Sequence, residues 1–237
     1  MLTTLNRGLA LLEALADGPR TARELAQKID LPRQTAYRLA ATLVSCGWVS
    51  LEPRTNTYAL TRRAWSVATQ ADRSSDLVDA WHETVRSLAE LGDTVHLAVY
   101  EAGEVLYVDK AEGSHPVRAY TQLGGRAPAH CVATGKVLLA FASPTERERV
   151  LGGPLLRPTE RSIADPRHLE SHLAQISEDG FAVNIGEWRP DVGGIAVPVR
   201  SCNGSVVAAI GYSAPIERIT SRREELLAAL RRAVARA

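Results

Sequence analysis

Leu31-Pro32-Arg33-Gln34-Thr35-Ala36-Tyr37-Arg38-Leu39-Ala40-Ala41-Thr42-Leu43 is the stretch on which the reading of this chain turns. Wound as a helix at about 100° per residue, it gathers Ala36, Leu39, Ala40 and Leu43 on one side. Gln34, Tyr37, Arg38 and Ala41 gather almost opposite, and Arg33 and Thr35 flank the N-terminal end. Pro32 suits a first helical turn, and Gly47 ends the helix. A polar face alone is common on solvated helices and decides nothing. The neighbours of this helix decide.

On its N-terminal side, Leu5, Leu9, Leu12 and Ala16 recur at helical spacing, so they are expected to form the buried stripe of a first helix that Asp17-Gly18-Pro19 ends. Thr21 and Glu24 have the spacing of a capping box for a short second helix over 22–28. On the C-terminal side, Val49 and Leu51, then Tyr58 and Leu60, alternate around a turn at 53–56, which predicts a hairpin with Arg54 at its tip. Three short helices and a hairpin are the order of a winged helix-turn-helix. In that arrangement the third helix enters the major groove of double-stranded DNA. Arg pairs with guanine, Gln with adenine, and Thr meets the thymine methyl. Charge agrees: residues 1–65 hold nine Lys/Arg against five Asp/Glu, a local +4, whereas the whole chain carries +1. The DNA-facing set is thus Arg33, Gln34, Thr35, Tyr37 and Arg38, with Arg54 on the wing and Thr21 at the second helix.

The stretches at 5–16, 31–39, 41–44 and 47–49 resemble the IclR family of bacterial transcriptional regulators. The resemblance continues through Asp93-Thr94-Val95-His96-Leu97-Ala98, the run from His130 to Ala140, Asp179-Gly180-Phe181-Ala182 and Gly194-Ile195-Ala196-Val197-Pro198-Val199, in the family's order. It implies an α+β protein. An N-terminal winged helix-turn-helix over 1–61 would be joined by a linker helix over 62–75 to a GAF-like effector-binding domain over 76–237. The residues themselves agree with such a body. Leu77, Trp81, Val85 and Leu88 mark a long helix, and strands are expected at 95–100, 105–108, 181–183, 195–199 and 206–212. Further helices are expected at 135–142, 165–178 and 220–237. Asn203-Gly204 reads as a two-residue hairpin turn. Arg62 and Arg63 fit either a DNA contact or plain solvated charge.

The resemblance also places an effector pocket beside Ala133-Thr134-Gly135, where free N–H groups at a helix start favour an anion. Its rim is the loop from Asn184 through Glu187, Trp188 and Arg189 to Gly194 and Ile195, with Gly211 and Ser213 on the last strand. Glyoxylate-binding relatives are expected to carry a carboxylate at 184, a thiol at 194 and hydroxyls at 211 and 213. Asn184, Gly194 and Gly211 stand there instead, and only Ser213 matches. The expected effector is therefore a carboxylate larger than glyoxylate. The implied protein is a ligand-responsive repressor on a near-palindromic operator, a homodimer or dimer of dimers, cytoplasmic and without a membrane segment.

Composition excludes long disorder: 45% of residues are apolar and 23% charged. Three scattered cysteines suggest reduced thiols and no disulfide frame. His130-Cys131, His96, His115 and the pair His168/His172 lack the close ligand spacing of a zinc site, so neither metal nor cofactor is expected. An enzyme using Cys131 or Ser213 with His130 or His96 is a rival reading, though no nucleophile elbow is present and no catalytic residue is assigned. A DNA-binding protein with a ligand-blind body is another.

Overall fold

A computed structural model of the chain describes residues 3–71, 75–117 and 121–235. Positions 72–74 of the expected linker helix and the last two of the expected closing helix lie outside them. The chain divides into two units, Met1–Ser75 and Asp76–Ala237.

The first unit runs α1 (Thr3–Ala14), β1 (Arg20–Thr21), α2 (Ala22–Lys28), α3 (Arg33–Ser45), β2 (Val49–Glu52), β3 (Thr57–Leu60) and α4 (Arg62–Ala71). The capping box is formed: the Glu24 N–H donates to Thr21 Oγ1, and the Thr21 N–H donates to Glu24 Oε2 at 2.7 Å. The hairpin of β2 and β3 is also as expected. Strand β1 was not expected; it pairs with β3 to make a three-stranded sheet in the order β1-β3-β2. Helix α1 departs from expectation. Leu11, Ala14 and Leu15 are buried against Leu25, Ala40, Val49 and Tyr58, whereas Leu5 and Leu9 are 59% and 49% exposed. The helix is apolar on two sides, so periodicity could not choose between them. Packing on α3 chose the other one.

The second unit runs α5 (Ser75–Ala89), β4 (Thr94–Glu101), β5 (Glu104–Ala111), β6 (Arg126–Pro128), a single 3-10 turn (Ala129–Cys131), α6 (Ala133–Ala140), α7 (Pro144–Leu151) and α8 (Pro166–Asp179). It continues through β7 (Ala182–Ile185), β8 (Val192–Arg200), β9 (Val206–Pro215), α9 (Ile216–Ser221) and α10 (Arg223–Val234). The six strands form one antiparallel sheet in the order β6-β5-β4-β9-β8-β7. The pleat sends alternate residues to opposite faces. Val95, Leu97, Ile195, Val197, Ile210 and Tyr212 pack under Trp81 and Val85 of α5 and Leu226 and Leu230 of α10. Ala98, Ala196 and Ala209 face the other way, toward Val137 of α6 and Leu169 and Leu173 of α8.

Two expectations for this unit are corrected. The closing helix begins at Ile216, directly after β9, and breaks at Arg222. Arg222 leaves helical geometry and its Nη1 donates to Leu91 O at 3.2 Å and Asp93 Oδ2 at 3.3 Å, so a tertiary anchor interrupts the helix. The Asn203-Gly204 turn is a five-residue connection, 201–205, in which Gly204 has φ +84° and Asn203 does not enter the left-handed region. A positive φ only at the second residue of the pair fits neither the type I′ nor the type II′ turn of a two-residue loop.

Replacing Thr21 with Ala removes the cap of α2, and chemical denaturation is expected to show a loss of about 1 kcal/mol. An unchanged midpoint would mean that β1–β3 pairing alone holds this helix start.

Candidate functional site

The face that α3 turns to solvent comprises Arg33, Gln34, Tyr37 and Arg38, all exposed, with Thr35 half-buried at its edge. Among the described residues these four side chains make no hydrogen bond or ion pair, so their donors are available to a ligand. Helix α3 has Pro32 at its N-cap and no side chain capping it; the Thr35 N–H turns back to Pro32 O at 2.9 Å, and the N–H groups of Arg33 and Gln34 at the helix start remain for phosphate. Arg54 is exposed in the turn of the β2–β3 hairpin. Thr21 is different: its hydroxyl is occupied by Glu24 in the α2 cap.

Arg63 does something that sequence reasoning did not consider. Its Nη1 donates to Cys46 O at 3.0 Å, and its guanidinium stands 5.6 Å from the Trp48 ring centroid. The Thr61 hydroxyl donates to Gly47 O at 2.6 Å. The start of α4 is thereby fixed to the carbonyl end of α3, where a cation is favoured by the helix dipole.

In the second unit, a cavity of about 210 Å³ opens where the N-terminus of α6 meets β4, β9 and β8. Six of the nine residues expected there line it: Ala133, Thr134, Asn184, Gly194, Gly211 and Ser213. Three do not. Gly135 faces the 3-10 turn, where a Cβ would lie 2.2 Å from Ala129 O, so its role is close packing. Ile195 is fully buried on the opposite sheet face, because Gly194 takes the pocket side and the pleat alternates. Glu187 is buried behind the wall, its carboxylate on Lys136 Nζ at 2.7 Å.

Trp188 and Arg189 of the expected rim loop line it too, and the wall also holds residues that the sequence did not place there, chiefly His96, Tyr107 and Thr121. Period two puts His96 on the same face as Ser213 once β4 is known to neighbour β9, but no sequence signal gives that strand order. His96 hydrogen-bonds Thr121 Oγ1, and its ring centroid lies 4.8 Å from that of Tyr107. Burial, reinforced by the charge of Lys110, pushes the His96 pKa down to about 3, so the imidazole is neutral near pH 7. Burial pushes the Tyr107 hydroxyl up to about 12, while a hydrogen bond from Thr134 and the Arg189 charge oppose the shift. Asn184 Oδ1 accepts the Glu187 N–H at 2.8 Å, which leaves its amide hydrogens as the free donors.

The electrostatics have one sign. Helix α6 begins without a side-chain cap, so its first N–H groups are unanswered. Arg189 is exposed at the mouth and has no ion-pair partner among the described residues. No Asp or Glu lines the cavity among the described residues. This is a site for an anion with an apolar body, with Trp188, Tyr107 and Val132 supplying the contact surface.

The rival chemistries find little here. Cys131 is fully buried, and burial pushes its thiol up to about 12, far from a reactive thiolate. His130 Nε2 is hydrogen-bonded to Leu156 O at 2.9 Å, not to the thiol. His172 Nε2 meets Lys136 Nζ at 3.2 Å. Among the described residues no cluster of His, Cys, Asp or Glu could hold a metal ion. No helix among them is long and apolar enough to cross a membrane.

Comparison with known proteins agrees with both units. The IclR helix-turn-helix domain matches residues 4–53, and the C-terminal domain of the bacterial transcriptional regulator IclR matches residues 69–237. The transcriptional repressor IclR of Escherichia coli (strain K12) is 31% identical over 226 residues, covering 93% of this chain and 82% of that protein. The HTH-type transcriptional regulator KdgR of the same organism is 30% identical over 215 residues, covering 90% of this chain and 82% of that one. The crystal structure of an IclR homolog from Microbacterium hydrocarbonoxydans, complexed with 4-hydroxybenzoate, superposes with a TM-score of 0.81 at 28% identity, covering 98% of this chain and 96% of that one.

Two histidines whose pKa values are lowered, the buried His96 and the half-buried His172, make stability pH-dependent. Burial, then Lys136 and His168, lowers the His172 pKa to about 4, and His96 lies lower still. Between those values and the unfolded value near 6.5, the unfolded chain binds more protons than the folded one, so stability falls as pH drops. Thermal melts from pH 7 to pH 4 are expected to show this loss, and His172→Asn to flatten the slope between pH 6.5 and about 4. An identical slope in the variant would remove His172 as a contributor.

Proposed function

The chain belongs to the IclR family of bacterial transcriptional regulators, and on that premise we propose that it is a repressor that binds a near-palindromic operator and is released or reset by a small carboxylate larger than glyoxylate. The observation that carries the effector half is the one-signed pocket: an uncapped helix start and an unpaired Arg189 around a cavity lined by no carboxylate among the described residues. The expected departures from glyoxylate-binding relatives support a larger body, and so do the aromatic contacts of Trp188 and Tyr107. The related protein that holds 4-hydroxybenzoate makes an aromatic acid the first effector to test.

The DNA half rests on the exposed, unbonded donors of α3. Arg33, Gln34, Thr35, Tyr37 and Arg38 read the major groove, and Arg54 supports them from the wing. Thr21 holds the second helix, its backbone close to phosphate. The protein acts as a homodimer, because matching half-sites require a two-fold pair of heads. Leu5 and Leu9 of α1 and Val67 of α4, all exposed and apolar, suit a contact between copies. A dimer of dimers extends the same logic. The working compartment is the cytoplasm, where the operator is, and the body binds its ligand without turning it over. The effector acts only through its different affinity for the DNA-competent and DNA-incompetent arrangements.

Fluorescence anisotropy at fixed salt, on the chain's own upstream DNA and on a scrambled duplex, tests the regulator reading, because charge alone binds both equally. Selective binding to the native duplex is expected; equal binding would reduce the first unit to a basic patch. Arg38→Ala is expected to cost about 1–3 kcal/mol on the native duplex. In the pocket, Arg189→Gln is expected to weaken carboxylate binding about tenfold by calorimetry, the worth of one charge-assisted contact. No change in either variant would remove that residue from its site.

A further inference from the structure

Lys136 has no exposed surface, and burial pulls its pKa below the ordinary lysine value while Glu187 opposes that shift. Its Nζ lies 2.7 and 2.9 Å from the two Glu187 oxygens, 2.7 Å from Val183 O and 3.2 Å from His172 Nε2. That set answers all three ammonium hydrogens, as a buried cation requires. A buried pair of this kind adds little net stability over two apolar side chains of the same volume. Stability alone therefore does not account for it.

Its placement is more telling. Lys136 stands on α6 one turn beyond Ala133, which lines the cavity. Glu187 immediately precedes Trp188 and Arg189, which form the opposite rim. The Glu187 N–H orients Asn184, whose side chain also lines the cavity. The Glu187 carbonyl accepts from Ser162 Oγ at 2.7 Å, so the loop is held from a second side. One ion pair thus ties the two walls of the pocket together. It also neutralises the carboxylate that the loop brings up behind the wall.

We propose that the buried Lys136–Glu187 pair sets the charge selectivity of the effector pocket, holding the loop that presents Arg189 and cancelling a carboxylate that would oppose an anion there. The proposal rests on the effector-pocket reading above. Lys136 and Glu187 are positioning residues and need not touch the ligand. Without Lys136, Glu187 projects an unscreened negative field through a poorly polarisable wall. Without the Glu187 charge, Lys136 adds to the positive field.

Two carboxylates and their neutral twins read this directly: benzoate against benzamide, and 4-hydroxybenzoate against 4-hydroxybenzamide. Calorimetry on the full chain gives the carboxylate-to-amide affinity ratio, and thermal melts report folding separately. The wild-type chain is expected to favour the carboxylates about tenfold or more. Lys136→Met is expected to lower the ratio about tenfold, and Glu187→Gln to raise it. The double variant Lys136→Met/Glu187→Met is expected to bind both ligands more weakly at the wild-type ratio, because the tether is lost but no net charge is left. Should Lys136→Met fail to fold, Glu187→Gln and the double variant still decide. Equal ratios in all folded variants would overturn the proposal and leave the pocket reading intact. No preference for a carboxylate in the wild type would overturn both.

Discussion

Helix α6 lies against the sheet because the residues beneath it have almost no side chains. Ala98, Ala196 and Ala209 form that stretch of sheet, and all three are fully buried. At Gly135 the helix passes so near the 3-10 turn that a Cβ would sit 2.2 Å from Ala129 O. This approach sets everything around the effector site. It brings the helix start, with its unanswered N–H groups, to the edge of the sheet where Gly194 and Gly211 leave a hollow. A helix held farther out would leave an open groove; a larger residue on the strands would leave no hollow.

The electrostatics of the second unit follow from that geometry. Among the described residues its buried charges are answered within the fold, Lys136 by Glu187, Asp93 by Arg218 and Arg222, and Asp109 by His82. His96 avoids the problem by staying neutral. What remains uncompensated near the cavity is positive, at Arg189 and at the helix start. The first unit shows the same division. Thr21, Glu24 and Arg63 are engaged in holding helices, whereas Arg33, Gln34, Arg38 and Arg54 are left for a partner.

Several of these features were legible before any coordinates. The capping box, the third helix with its two faces, the hairpin and the long α5 all follow from local spacing, and each formed where its residues predicted. Six of nine expected pocket residues line the cavity; two of the other three fail for local reasons and one for a distant partner. Ile195 is one step out of phase with Gly194, Gly135 is a packing glycine, and Glu187 is committed to Lys136. Leu5 and Leu9 show the opposite failure, since a correct helical period pointed to the wrong side.

The sequence by itself determined most of the helices and strands, though not β1, β6 or α7, together with the cap of α2 and the residues of α3 that face outward. Those properties depend on neighbours within about one turn or one pleat. Only the tertiary structure decided the strand order that brings His96 beside Gly211 and Ser213, the break at Arg222, and the pairing of Lys136 with Glu187 across 51 positions. Those depend on contacts between residues far apart in the chain. Periodicity carries no information about which distant partner a face will meet, and that choice falls to close packing and the need to answer every buried charge.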